Sequence, residues 1–213
     1  MRTISQRMEE AHGNMELGLE RIVFFSDAVM AIAITLLAVD IKVPELATDL
    51  AAAQLPGSLH ALTPKIMSFV ISFMVIGVYW MSHHRYFSFI KRYDSRLIYL
   101  NLLFLLFIAA MPFISTLLGE YAFLPLGVSA YSIAVSGIGL SLCGLWLYAS
   151  RNHRLIAEEL DSRFVNAMNI RAISAPLVFM ISIPISFFSP VAAVIVWFLS
   201  PLVVVGAVWR FAR

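Results

Sequence analysis

Polar positions in this chain come in short clusters, and apolar positions come in long runs. After Arg2, Arg7, Glu9, Glu10, Glu16 and Glu20, apolar residues dominate until Asp40 and Lys42. Ile66 to His84, between Lys65 and Arg85, and Leu97 to Gly119, between Arg96 and Glu120, are free of formal charge, as is the run inside Tyr121 to Ser150. From Ala172 to Trp209 there are 38 more uncharged residues. As one straight helix they would measure about 57 Å, nearly twice a hydrocarbon core of about 30 Å. That stretch must fold back on itself, and Ser186-Phe187-Phe188-Ser189-Pro190 is the predicted turn, because Pro190 cannot continue a helix and can open one. Pro176, Pro184 and Pro201 then fall at kinks or ends. The pattern predicts an all-α integral membrane protein with six transmembrane helices in one domain, 1–213, at 19–41, 66–88, 97–119, 122–149, 168–187 and 190–210.

The connections are too short for a soluble catalytic domain. Val43 to Pro64 reads as an outer loop carrying a surface helix, and Arg151 to Asn166 as an amphipathic helix on the cytoplasmic side. Composition sharpens this picture: 61% of residues are hydrophobic and 13% charged, against roughly half and a quarter in soluble domains. A net charge of +2 is too small to imply nucleic-acid binding. Its distribution matters more. Six spans with the N-terminus inside put Arg2, Arg7, Arg21, Arg85, Lys91, Arg92, Arg96, Arg151, Arg154, Arg163, Arg171, Arg210 and Arg213 on one side, and Lys42 and Lys65 on the other. Basic residues accumulate in the cytoplasm, so both termini are expected there. The lone Cys143 excludes an intrachain disulfide and a Cys-based metal cluster. The N-terminus lacks an apolar core with a cleavage site, so the first span is expected to act as the membrane address.

The first span holds the most informative residue. Asp27 lies about 9 Å along the helix from Arg21 and about 20 Å from Asp40. An ionisable group at that depth costs a few kcal/mol unless partnered, which makes it a functional candidate. It can serve as a hydrogen-bonded carboxylate holding the bundle, or act directly in ion or proton passage. Arg21 and Asp27 face about 120° apart, so each needs partners on other helices. Trp80, His83, His84 and Asn101 supply polar groups at that depth. The adjacent histidines point about 100° apart and make a poor chelating pair, so no metal site is expected; one of them can bond the first-span motif, or both can anchor the interface. Tyr79, Trp80, Tyr86, Tyr93, Tyr99, Trp146, Tyr148 and Trp209 read as an aromatic belt. Ser132, Ser136, Gly137, Ser141 and Gly144 permit close helix packing. No phosphate-cradling glycine loop, Ser–His pairing or Thr-Val-Gly-Tyr-Gly filter occurs, so neither an enzyme nor a cofactor is expected. Two apolar stripes run along this span, Val29-Ile32-Leu36-Val39 and Val23-Met30-Ile34-Leu37, and periodicity alone does not choose between them.

Arg21-x-x-x-Phe25-Ser26-Asp27, followed by Ala31-Ile32-Ala33-Ile34-Thr35-Leu36-Leu37, resembles the first-helix signature of the transmembrane protein 175 family. Tyr79-Trp80-x-x-His83-His84, Leu100-Asn101-Leu102-Leu103-Phe104-Leu105-Leu106, Met111-Pro112-Phe113 and Leu117-Leu118-Gly119-Glu120 look similar too. Animal members are lysosomal potassium channels with two six-helix repeats, and a single six-span unit looks like the bacterial branch, in the inner membrane. The resemblance implies a homotetrameric potassium-permeable cation channel, lined by the first helix of each subunit, without a re-entrant selectivity-filter loop and with potassium as its permeant ion. It implies a pore constriction at Ile32, with Leu36 and Val39 one and two turns on and the hydroxyl of Thr35 beside it. Arg21, Phe25, Ser26 and Asp27, with Trp80, His83, His84 and Asn101, would form the network holding that helix. Two other readings stay open, a proton-coupled carrier using Asp27 as relay and a non-conducting membrane scaffold.

Overall fold

The computed structural model describes residues 4–39, 41–42, 44–46 and 51–211. Arg2, Asp40, Val43 and Arg213, which the sequence reading uses, lie outside the described residues, as do the side chains of Arg7 and Arg210. The described residues form α1 (Ile4–Leu36), α2 (Ala51–Ala61), α3 (Thr63–Phe89), α4 (Ser95–Tyr121), α5 (Pro125–Ser150), a 3-10 turn (Arg151–His153), α6 (Ser162–Phe188) and α7 (Pro190–Phe211).

Local chemistry sets where most of these helices start. Pro64 stands in the first turn of α3 and Pro125 opens α5, where a missing N–H costs nothing. Asp94 caps α4 by accepting from the Leu97 N–H at 2.9 Å, and Asp161 caps α6 by accepting from the Arg163 N–H at 3.0 Å. Pro190 opens α7, and the Ser189 hydroxyl accepts from the Ala192 N–H at 3.2 Å. The predicted turn before Pro190 is therefore present, and Pro176 and Pro184 sit inside α6 as Pro201 does inside α7. The surface helix expected between Val43 and Pro64 is α2, which buries none of its side chains.

Six spans are not supported. Among the described residues, four helices are long and apolar enough to cross a membrane: Thr63–Phe89, Ser95–Tyr121, Pro125–His153 and Ser162–Phe188. The first expected span falls short because α1 stops at Leu36, its end tightened by bonds from Ala38 N to Thr35 O (3.3 Å) and Val39 N to Leu36 O (3.1 Å). Its last five turns from Leu19 therefore still contain Glu20, Arg21 and Asp27. Among the described residues the last expected span contributes a shorter apolar helix, Pro190–Leu199.

A second correction concerns Arg151 to Asn166, which is not an amphipathic helix. Asn152 and His153 take left-handed backbone conformations, at φ 53° and 51°, and break the helix after α5. Leu155 and Ile156, read from sequence as the apolar face of that helix, instead turn inward and are buried. Ile156 forms an antiparallel bridge with Ile90, and the Leu155 carbonyl accepts from Lys91 N at 2.8 Å and Arg92 N at 3.2 Å. The regular helix resumes at Ser162, ahead of the expected residue 168.

The helices pack around α5, which touches α4 and α6 along most of its length. α7 packs on α6, while among the described residues α1 rests against α3 and α4 only. Hydroxyls join the helices inside the bundle: Ser72 donates to Ser115 at 2.9 Å, and Ser182 donates to Ser132 at 2.9 Å while accepting from the Trp197 indole at 2.9 Å. In lipid, where no hydrophobic effect draws helices together, such bonds and close packing hold a bundle.

Candidate functional site

α1 has two unlike faces. Met30, Ala33 and, just past its end, Leu37 are 1%, 2% and 3% exposed against α3 and α4, whereas Ile32, Leu36 and, in the turn that follows, Val39 are 59%, 46% and 67% exposed. In the single chain the stripe containing Met30 is thus the packed one, and the stripe containing Ile32 is uncovered. Thr35 lies on the uncovered side and donates to the Ile32 carbonyl at 2.8 Å.

A chain of buried polar groups fixes α1 on its packed side. Ser26 donates to the Ile22 carbonyl at 2.8 Å, Asn101 Nδ2 donates to Ser26 Oγ at 2.9 Å, and His83 Nε2 lies 2.9 Å from Asn101 Oδ1. The backbone carbonyl decides the sense of every proton, since it can only accept. Ser26 spends its hydrogen on Ile22 and so accepts from the Asn101 amide nitrogen. That turns the amide oxygen toward His83, whose Nε2 must carry the hydrogen. His83 is held between the rings of Phe87 (4.3 Å) and Phe104 (5.4 Å), and its Nδ1 is buried without a hydrogen-bond partner among the described residues.

A second contact runs beside the first. The Trp80 indole donates to Asp27 Oδ1 at 2.9 Å, and His84 stacks on Trp80 with ring centres 5.9 Å apart. Asp27 is thereby tied to α3 and half-buried. The structure brings Ser26, Asp27, Trp80, His83, His84 and Asn101 together at one end of the α1–α3–α4 cluster. Arg21 and Phe25 are exposed and take no part in these bonds.

Sequence reasoning missed two further polar contacts. Ser72 also lies 3.2 Å from the Tyr131 hydroxyl, completing a buried trio with Ser115; Ser68 and Ser72, one turn apart on an uncharged span, were the available signal. At the basic end, the Tyr148 hydroxyl bonds Asp94 Oδ2. Burial pushes the Asp94 carboxyl up, but that bond and the N–H groups of Leu97 and Arg96 outweigh it and hold the group below its ordinary value. Nothing in the local pattern around Tyr148 announced this contact.

The sequence model of the family described as endosomal/lysosomal potassium channel TMEM175 matches residues 21–112. A protein from Streptomyces collinus named a potassium channel is 36% identical over 177 residues, 79% of this chain and 82% of its own. Another so named, from Chamaesiphon minutus, is 36% identical over 185 residues, 85% of this chain and 90% of its own. The chain belongs to the TMEM175 family. A crystal structure described as a lysosomal potassium-selective channel TMEM175 homolog from Chamaesiphon minutus superposes with a TM-score of 0.76 and 31% identity, covering 89% of this chain and 98% of that one. In this TMEM175 chain the matched stretch contains the whole chain of buried polar groups, from Ser26 through His83 to Asn101, together with the uncovered face of α1.

Proposed function

We propose that this TMEM175 chain is one subunit of a potassium-permeable cation channel in the inner membrane of a bacterium, working by passive conduction and not by catalysis. The observation that carries the reading is the division of α1 into a face held by polar bonds and a face of large apolar side chains that its own subunit leaves uncovered. One such face per chain cannot enclose a pathway; about four around a symmetry axis can, so the assembly is a homotetramer. Ile32, Leu36 and Val39 then form successive apolar rings, with Ile32 the constriction and the Thr35 hydroxyl beside it. Such rings hold back water and ions and gate by dewetting. A helix that borders a hydrated pathway tolerates Asp27 and Arg21 better than one surrounded by lipid. The bonds from Trp80 and Asn101 set its rotation, so that the apolar stripe meets the axis.

The test is potassium flux in liposomes at matched protein amount and oligomeric state. Ile32→Asn keeps similar bulk but adds hydrogen-bonding groups, so the ring hydrates and flux rises. Ile34→Asn, about 160° around the helix, disturbs packing without opening a pathway. An assembled Ile32→Asn variant with unchanged conductance and selectivity removes Ile32 from the pathway. A monomer in mild detergent removes the pathway itself. Proton-linked potassium uptake abolished by Asp27→Asn in a well-folded oligomer would transfer the assignment to a proton-coupled carrier.

A further inference from the structure

Away from α1, the junction of α5 and α6 forms an open cavity of about 540 Å³. Leu147 and Val165 give it an apolar floor; Arg151, His153, Asn166 and Asn169 stand around it. None of the lining side chains among the described residues is acidic. Of the nearby carboxylates, Asp161 accepts from the Arg163 N–H, Glu158 pairs with Arg92 at 4.0 Å, and Glu159 is exposed and does not line the cavity.

Asn169 tells what the cavity is built to meet. Its Oδ1 accepts from the Trp146 indole at 2.8 Å and from the Ser150 hydroxyl at 3.4 Å. An indole N–H can only donate, so the amide cannot be flipped, and the Nδ2 hydrogens are the ones offered to the cavity. Arg151 adds a guanidinium that forms no ion pair among the described residues. Around it the same end of the bundle carries Lys91, Arg92, Arg154 and Arg163, brought together where Lys91 and Arg92 bond Leu155. Fixed donors and a cation over an apolar floor suit an anion attached to, or resting beside, apolar matter.

We propose that this cavity is a binding site for a phosphate group, with Arg151 and the Asn169 amide as its main contacts. The source can be the phosphodiester of an anionic phospholipid, whose glycerol would lie on Leu147 and Val165, or free phosphate. Guanidinium–phosphate contacts are among the strong charge-assisted hydrogen bonds.

The experiment is native mass spectrometry of the full-length protein in detergent, titrated with phosphatidylglycerol or phosphatidylcholine, with and without millimolar inorganic phosphate. Asn169→Asp keeps the acceptor for Trp146 but replaces the amide donors with a charged oxygen. Arg151→Gln removes the cation at an exposed position and keeps the test open should Asn169→Asp fail to fold. The control is Arg154→Gln, the same charge change at a guanidinium that lies over the Tyr148 ring, 4.8 Å from its centre. Phosphatidylglycerol should be retained about tenfold better than phosphatidylcholine, and each cavity variant should lose about that factor while Arg154→Gln does not. Displacement by inorganic phosphate, with phosphate binding that shows the same variant sensitivity, assigns the site to the free anion. Retention unaffected by phosphate assigns it to the lipid. Equal retention by wild type and both cavity variants, or an equal loss in Arg154→Gln, overturns the proposal.

Discussion

The two halves of this bundle are held together by different means. Around α5 the helices approach so closely that side chains must be small: a Cβ on Gly139 would lie 2.7 Å from the Tyr79 hydroxyl and 2.8 Å from Pro176 Cβ. Hydroxyl pairs such as Ser129–Ser186, at 2.7 Å, sit in the same seams. Among the described residues α1 makes one such close approach, Gly18 against the Tyr93 side chain in the turn between α3 and α4, and its Ile32 side stays uncovered, so a few directed polar bonds decide how the rest of it is rotated. The contrast teaches what each device supplies. Close packing makes a rigid frame without choosing an orientation for anything outside it. A hydrogen bond between two particular side chains specifies rotation, which an element with an uncovered face requires.

The largest effect should come from the frame. Gly139→Val forces apart α3, α5 and α6, and overpacking of this kind costs about 3 kcal/mol or more when the neighbours are backbone and a proline ring. The expected readout is loss of folded protein on size-exclusion chromatography. Gly144, with nothing within 4 Å of its added Cβ, is the control, and Gly144→Ala should be close to silent. Equal behaviour of the two variants would remove the distinction between halves.

Next comes the polar chain. Asn101→Leu leaves the Nε2–H of buried His83 without an acceptor and Ser26 without its donor, costing about 1–3 kcal/mol for the stranded group. Because the bond serves α1, hydrogen exchange should quicken over residues 19–36 while α5 stays protected. Uniform loss of protection in both would mean that α1 is part of the frame after all.

A smaller change is expected inside the frame. Ser182→Ala removes the hydroxyl that joins Ser132 to Trp197, and interhelical bonds of this type contribute about 0.6 kcal/mol on average in a membrane. Thermal unfolding in detergent should detect the loss with no change in flux. Altered flux would show that the frame also sets the pathway.

The smallest effect concerns pH. The folded Asp94 carboxyl titrates below its ordinary value of 3.8, so its contribution is full above that value and is lost as pH falls through the folded one. Tyr148→Phe removes one of the bonds responsible. Its melting temperature should fall below wild type at pH 7, and the gap should close under pH 3.8. A gap of constant size across that range would make the Tyr148 contact one of packing and not of charge.

Much of the architecture was legible because the controlling physics is local. Uncharged runs marked α3, α4 and α5, and Pro190 marked where α7 begins. Ser186 to Pro190 was readable as a turn because the uncharged run is too long to be one straight span. The partners of the first-helix motif were legible as candidates, since a polar residue in an apolar span has few places to go. Their pairing was not: Asn101 sits 75 residues from Ser26, and only the packed bundle selects His83 over His84 as its neighbour.

Other features depended on contacts made across the fold. The segment after Ser150 has the composition of an amphipathic helix, but Leu155 and Ile156 gain more by pairing with the chain near Ile90 than by continuing it. Gly139 outranks the expected Gly144 because Tyr79 and Pro176 come to it from other helices. By itself the sequence determined that the chain is helical and membrane-embedded, where α7 starts and which polar groups lie near α1, since these follow from side-chain polarity and backbone chemistry within a turn or two. Only the tertiary structure decided which stripe of α1 is packed. The stripes through Met30 and Ile32 are equally apolar, and hydropathy is blind to whether an apolar side chain meets protein, lipid or a second subunit.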